Sequence, residues 1–166
     1  VDWRPRDGGA AFRLQGTAKR SGNLRAPDYW LGNTGAMELN FSAIADWKHG
    51  RWRHTLSNTQ FGQQFGILRA SHTGSLSDLL AAIASDTPRN NINAFDYTID
   101  RPRQQVQHNV LKYKTEFRID DVWKLSGQYN FQYNQRREYD RGRKSVTEAD
   151  KAQVTFQLWS NTLDVA

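Results

Sequence analysis

The feature that most constrains the fold is a strict alternation of side chains over residues 123–133 (WKLSGQYNFQY). Every second residue is apolar or aromatic, apart from one glycine, and the residues between them are polar. Successive side chains of a strand point to opposite faces, so the pattern predicts one long β-strand. Ten steps of about 3.3 Å make about 33 Å of strand. At a tilt of about 40° this strand crosses about 25 Å, the height of the apolar band on an outer-membrane barrel.

The two rows of this strand predict two environments. Aromatic side chains lie at both ends of the apolar row, as is typical of strands whose ends meet membrane interfaces. We therefore expect the apolar row, together with a similar row in residues 37–41, to face lipid: Trp123, Leu125, Tyr129, Phe131, Tyr133, Met37, Leu39 and Phe41. We expect the polar row to face the lumen: Lys124, Ser126, Gln128, Asn130 and Gln132. Polar barrel interiors are general, so contact with lumen water or a plug is favoured over contact with a moving solute.

The same alternation recurs along the chain and predicts an all-β fold. It indicates an antiparallel, up-and-down transmembrane barrel segment with strands near residues 10–19, 35–48, 51–63, 108–119, 122–137 and 150–163. In the sixth strand we expect Val154, Phe156 and Leu158 to face lipid. A capping-box-like pair, Ser75 and Asp78, precedes an apolar run and predicts one short loop helix over residues 75–84.

The connections between these strands alternate in length. Short turns are predicted at residues 5–9, 49–51 and 120–122, and long loops at residues 21–35, 65–107 and 136–148. Outer-membrane barrels have short periplasmic turns and longer extracellular loops. We therefore expect the long loops to lie together, outside the cell.

Composition and charge exclude several other classes. The mean hydropathy is −0.81 and the longest apolar run covers residues 79–84, too short for a transmembrane helix. The chain has no cysteine, hence neither disulfides nor thiolate metal sites. The net charge is +6, but the basic residues are scattered, so nucleic acid is not an expected partner. The N-terminus lacks the apolar core of a signal peptide.

Candidate ligand-binding residues are the conspicuous cations of the predicted loops. They are His72, Arg101, Arg103, Arg136 and Arg137. Guanidinium groups pair bidentately with carboxylates, although such arginines more often brace a loop. The cluster Arg136, Arg137, Arg141, Arg143 and Lys144 fits equally well a phosphate-neutralising surface at lipopolysaccharide or a solvated face. The histidines lack metal-ligand spacing and no GxSxG elbow is present. We therefore expect no enzyme activity, no catalytic residue, no metal and no cofactor.

Four longer stretches carry a family resemblance. They are residues 21–42 (SGNLRAPDYWLGNTGAMELNFS), 66–83 (GILRASHTGSLSDLLAAI), 95–112 (FDYTIDRPRQQVQHNVLK) and 125–144 (LSGQYNFQYNQRREYDRGRK). They resemble TonB-dependent outer-membrane receptors of the Bacteroidetes type, from about Phe12 to the end of the chain. The resemblance implies a 22-stranded, plugged barrel that imports iron chelates, cobalamin or glycans with energy from TonB.

The resemblance also sets expectations about extent, location and partners. Six strands, without a plug domain, a TonB box or a signal peptide, predict that residues 1–166 are part of a receptor barrel in the outer membrane of a Gram-negative cell. The implied partners are outer-membrane lipid and lipopolysaccharide, the plug domain and TonB through a missing N-terminal part, and a small-molecule or glycan ligand.

The alternative is a soluble all-β carbohydrate-binding module, whose strands would alternate in the same way with the apolar face inward. Strand length and the aromatic ends of the rows favour the membrane hypothesis.

Overall fold

The computed structural model describes residues 1–5, 9–71, 74–140 and 151–166. Within them it contains nine strands, one α-helix and a 3-10 turn at Arg69–Ser71. The strands are β1 (Asp2–Trp3), β2 (Ala10–Ser21), β3 (Leu24–Arg25), β4 (Trp30–Leu31), β5 (Ala36–His49), β6 (Trp52–Gly66), β7 (Arg103–Arg118), β8 (Lys124–Tyr139) and β9 (Val154–Val165). The helix is α1 (Leu76–Ile83), and Ser75 caps it by accepting a hydrogen bond from the Asp78 amide.

Seven of these strands form one antiparallel sheet in the order β1-β2-β5-β6-β7-β8-β9. Each long strand pairs with the next long strand along the chain, and β3 and β4 form a separate two-stranded ribbon. The predicted all-β class, the six long strands and the short helix are therefore confirmed. β1 and β9 stand at the two ends of the strand order, so the described strands make an open sheet.

Four of the long strands, β2, β6, β7 and β8, extend further toward the long loops than predicted. β6 continues to Gly66 and β7 begins at Arg103, five residues before its predicted start. Half of the eight residues added to these two strands are glutamines, such as Gln64 and Gln105. A search for alternating apolar residues does not detect them, because these positions are polar on the face that is apolar elsewhere.

Two faces follow from the register, because directly paired residues of an antiparallel ladder point to the same side. What we call the apolar face carries one continuous row across five pairings: Leu14, Ala43, Asn58, Leu111, Phe131 and Asn161. What we call the polar face carries the neighbouring row: Gln15, Ser42, Thr59, Val110, Gln132 and Ser160. The two predicted rows of β8 lie on these opposite faces, except that Trp123 precedes the strand.

The predicted face is wrong for part of β9. Val154, Phe156 and Leu158 pair with Glu138, Arg136 and Asn134, which places all three on the polar face. Trp159 and Leu163 lie on the apolar face instead, opposite Tyr133 and Tyr129. The apolar residues of β9 thus change from one set of alternate positions to the other between Leu158 and Trp159, and only the pairing with β8 decides which set faces which side.

The sheet has no hydrophobic core. Among the described residues Tyr139 is the one buried hydrophobic side chain, at 7% exposure, whereas all residues of β9 are exposed. No second sheet packs on either face of the seven-stranded sheet within the described part of the chain. The apolar side chains of the sheet are therefore left for something outside these residues to cover.

Short turns lie at one end of the sheet and long connections at the other. At the short-turn end, Gly50 takes a φ of +59°, which favours glycine. There too, the Asp120 carboxylate accepts hydrogen bonds from the amides of Val122 (2.8 Å) and Trp123 (2.7 Å). Residues 22–35 and 67–102, and the connection after Tyr139, leave from the opposite end. The prediction that the long loops share one end is confirmed.

Candidate functional site

The apolar face carries a band of apolar and aromatic side chains that begins at the short turns. Its first edge is a ring cluster in which Trp52 lies 4.5 Å from Phe117 and 5.9 Å from His54, measured between ring centroids. Trp47 stacks on the same histidine at 5.0 Å. The His54 Nδ1 lies 2.8 Å from the Tyr113 hydroxyl, so the histidine is satisfied within the cluster.

A second aromatic edge closes the band further along the strands. The Trp159 ring lies 4.4 Å from Tyr133 and 5.7 Å from Phe131. Tyr133 pairs with Asn109, eight residues before Phe117 on β7. Eight steps make about 26 Å of strand between the two aromatic edges. Between them lie exposed residues such as Leu56 and Leu111.

Beyond the second aromatic edge the apolar face becomes polar on β6 to β9, whereas β5 keeps the exposed Met37 and Leu39 there. The residues of β6 to β9 at and beyond this edge are mainly glutamines: Gln60, Gln64, Gln105, Gln107, Gln135 and Gln157. Gln105 Nε2 donates to Gln64 Oε1 at 3.1 Å, and the Tyr139 hydroxyl donates to Gln105 Oε1 at 3.1 Å. This part of the face therefore presents polar side chains.

The polar face shows the opposite order. Near the short turns it is basic, and its cations are Lys48, Arg53, Lys112, Lys114, Arg118 and Lys124. Glu116 lies among them and pairs with Lys114 at 2.8 Å and Lys124 at 3.3 Å. A shallow pocket of about 320 Å³ lies between these side chains and the turn at Gly50. Near the long loops the same face carries Phe61, Phe65, Val106 and Phe156.

Asparagine side chains join the two long loops. The Asn33 side chain donates to the carbonyls of Ile67 and Pro102, both at 2.9 Å, and accepts from the Asp100 amide at 2.8 Å. Asn33 is 6% exposed and takes a φ of 61°. One buried amide therefore fixes residues 67 and 100–102 against the first loop.

Two further contacts extend this join. Asn23 Nδ2 donates to the Ala94 carbonyl at 3.0 Å, and Asn23 is 7% exposed. Asn91 accepts from the Gly32 amide and donates to the Trp30 carbonyl, each at 2.7 Å. The paired loops are thus held by polar bonds to backbone groups.

An exposed ring cluster lies on the joined loops. Phe95 lies 5.0 Å from Trp30 and 5.0 Å from Tyr97, and Phe95 and Tyr97 are about half exposed. The guanidinium groups of Arg25 and Arg20 lie over Trp30 and Tyr97, each 5.3 Å from the ring centroid. This arrangement offers stacking surfaces beside positive charge.

The structure describes four of the five predicted ligand-binding residues and distributes them over both faces of the sheet. Arg101 and Arg103 lie against the Tyr139 ring, 5.8 and 4.5 Å from its centroid. Arg136 points to the polar face and pairs with Glu138 at 2.6 Å, whereas Arg137 lies on the apolar face opposite Gln105. His72 lies outside the described residues, as do Arg141, Arg143 and Lys144.

The loop asparagines and the loop rings are the features that sequence reasoning missed. They occur in glycine-, asparagine- and proline-containing stretches that indicate only irregular structure. The spacing of Asn23 and Asn33 from the groups they bind, between 34 and 71 residues for the long-range bonds, leaves no local pattern to find.

Across residues 1–5, 9–71, 74–140 and 151–166, no cluster of three or more histidine, aspartate or glutamate side chains could hold a metal ion. In the same part of the chain, no helix combines the length and the apolar character needed to cross a membrane.

Comparisons with protein-family models, with curated proteins and with solved structures find no match for this chain.

Proposed function

We propose that the chain forms part of the wall and the external loops of an outer-membrane β-barrel of the TonB-dependent receptor type. Such a barrel takes up a ligand such as an iron chelate, cobalamin or a glycan. The observation that carries the proposal is the apolar band on one face of a single-layered sheet, edged at both ends by aromatic rings. Bands of this kind, with aromatic girdles at the two interfaces, are what lipid-facing barrel surfaces have.

Burial explains why lipid is the favoured cover for the band. Leu125 and Leu163 are 48% and 72% exposed, although each lies on a strand that is hydrogen-bonded within the sheet. Each apolar side chain of this size gains about 1.5–3 kcal/mol when it leaves water. A bilayer supplies that gain along the whole band without a second protein layer.

Closure of the barrel would come from strands outside this sheet. β9 pairs with β8 on one side over twelve residues, and its other edge has no partner among the described strands. Unpaired backbone groups are very unfavourable in hydrocarbon, so a membrane-inserted sheet must continue until it closes. The rest of the proposed barrel would supply the neighbours of β9 and of β2.

Ligand capture is assigned to the joined long loops. Their clustered rings, the half-buried Trp30 and the exposed Phe95 and Tyr97, with Arg20 and Arg25 beside them, suit a ligand that combines flat or ring-shaped parts with negative charge. The polar face, with its row Ser126, Gln128 and Asn130, is assigned to the lumen.

The rival hypothesis, a soluble carbohydrate-binding module, requires that the apolar face be packed inside the molecule. In a β-sandwich two sheets pack face to face about 10 Å apart and enclose a core. The described residues supply one seven-stranded sheet and one buried hydrophobic side chain, Tyr139. This weighs against the sandwich.

Single cysteines on β8 of the intact parent protein test the proposal, and this chain contributes no cysteine of its own. Leu125→Cys, Tyr129→Cys and Phe131→Cys should react with a lipid-soluble maleimide in the bilayer. Ser126→Cys, Gln128→Cys and Asn130→Cys should react with a small water-soluble reagent instead. Equal labelling of both rows by the water-soluble reagent, or a protein that stays in buffer without detergent, would reject the proposal.

A further inference from the structure

Three arginines lie together on the apolar face above the second aromatic edge. Arg103 pairs with Tyr139, and Arg137 pairs with Gln105, so the two arginines are diagonal neighbours on one face of β7 and β8. Diagonal neighbours have side chains about 7–8 Å apart. Arg101 joins them, since its guanidinium lies over the same Tyr139 ring as that of Arg103.

Among the described residues these positive charges have no acidic partner. The ion pairs among the described residues engage Arg69 with Asp100 and Arg136 with Glu138, but none of them includes Arg101, Arg103 or Arg137. Arg101 Nη2 and Arg103 Nε are buried without a hydrogen-bond partner. Buried donors are normally paired, and two cations against one ring repel each other unless an anion lies near.

We propose that Arg101, Arg103 and Arg137 form a binding site for the phosphate groups of an outer-leaflet glycolipid. The inference rests on the proposed function, because it takes the apolar face as the lipid-facing one. It also changes the role expected for these residues: they would hold membrane lipid at the outside of the barrel rather than the ligand that the barrel imports.

Position along the strand favours lipid over an imported solute. From Tyr133 at the second aromatic edge to Arg137 there are four residues, or about 13 Å of strand. A head-group layer begins where the aromatic edge ends, so these arginines lie at the depth of lipid phosphates. Guanidinium groups bind phosphate oxygens through paired hydrogen bonds, and they are the usual choice for that recognition.

The test uses the intact parent barrel, purified in neutral detergent and reconstituted into phosphatidylcholine vesicles. Bisphosphorylated lipid A is added, and in parallel the same lipid A with its phosphates removed. Thermal unfolding is followed by circular dichroism, and bound lipid is counted by native mass spectrometry. We expect the phosphorylated lipid to raise the Tm of the wild type, and the double variant Arg101→Gln/Arg103→Gln to bind it at least about tenfold more weakly.

Two comparison variants control for folding and charge. Arg136→Gln removes a positive charge from the same strand but from the polar face, and should bind lipid A like the wild type. Arg101→Lys/Arg103→Lys keeps the charges and loses the paired geometry, so its binding should fall between those of the wild type and the glutamine variant.

The outcomes separate this inference from the proposed function. If the barrel inserts but binds both lipids equally, or if the glutamine variant binds lipid A like the wild type, the proposed phosphate site is wrong. The proposal that the chain forms part of a barrel wall is unaffected by that result. If inorganic phosphate alone reproduces the rise in Tm, the site holds small anions and the lipid assignment is wrong. If the parent protein fails to insert, both proposals fall.

Discussion

The two halves of the long strands carry opposite patterns of polarity. In the half near the short turns, the apolar face carries Trp52 and Leu56, and the polar face carries Arg53 and Lys114. In the half near the long loops, the apolar face carries glutamines such as Gln107, and the polar face carries phenylalanines such as Phe65. The same strands therefore face one pair of environments at one end and a reversed pair at the other.

Under the proposed function, this reversal corresponds to two different kinds of surroundings. The side proposed to face lipid below the second aromatic edge would face water or head groups above it, in keeping with its change from leucine to glutamine. The other side would line a polar lumen below, and it carries phenylalanine in the half near the long loops. A soluble sandwich would keep one apolar side along the whole strand, since its core does not change sides.

The largest expected effect comes from a charge inside the band. In the intact barrel, Phe131→Arg should lower the free energy of unfolding by up to about 4 kcal/mol, because it places a cation inside the apolar band, two residues from Tyr133 at its second edge. The measurement is equilibrium unfolding in urea with reconstituted protein. The matched control is Gln128→Arg, on the polar face of the same strand, for which little change is expected. If the two changes lowered the free energy of unfolding equally, the two faces would not have the different surroundings proposed for them.

The next largest effect concerns the hydrogen bonds by which Asn33 joins the two long loops. Asn33→Ala should cost about 1–3 kcal/mol, because two backbone carbonyls and one amide lose their buried partner. At a φ of 61° alanine is also strained.

Asn33→Gly separates these two causes, since glycine accepts the backbone conformation but makes none of the side-chain bonds. Hydrogen exchange at Asp100 provides the measurement. If Asn33→Ala left its exchange rate at the wild-type value, the amide of Asn33 would not hold the loops.

A smaller effect is expected for a charge on the apolar face above the band. Gln107 is exposed and lies on the same face as Phe131, but beyond the second aromatic edge, and the change is Gln107→Arg. Its unfolding free energy should change by no more than about 0.5 kcal/mol, as for other surface substitutions. A loss as large as that of Phe131→Arg would move the boundary of the band toward the long loops.

The strands could be predicted from the sequence because alternation is a local property. The alternation predicts Leu125, Tyr129 and Phe131 on one face, and the register places them there. What alternation cannot decide is which row faces which side when a strand has apolar residues in both rows. In β9 the apolar row changes at Trp159, and only the ladder with β8 fixes the outcome.

The candidate sites depend on contacts that are distant in sequence. Arg136 and Arg137 are adjacent and were expected to act together, yet the pleat of β8 sends them to opposite faces. Arg101 and Arg103 were expected in a loop, but Arg103 begins β7 and both stack on Tyr139, more than thirty residues away. Such placements come from pairing between strands, for which a single sequence holds no direct signal.

The smallest expected effect is a pH response confined to the joined loops. Hydrogen bonds from the Thr98 amide and hydroxyl, each 3.0 Å from the carboxylate, lower the pKa of Asp96 below its usual value. A lowered pKa in the folded state means that the ionised carboxylate stabilises the loop above the unfolded pKa of about 3.9, and that this contribution is lost as the pH falls through the lower, folded value. The protection of the Thr98 amide, which compares its exchange rate with the intrinsic rate at the same pH, should therefore fall on acidification below about pH 4 in the wild type. In Asp96→Asn the exchange should be faster at neutral pH and lack this acid-dependent step. If both proteins showed the same acid-dependent step in exchange, the response would belong to another carboxylate, and Asp96 would not stabilise the joined loops.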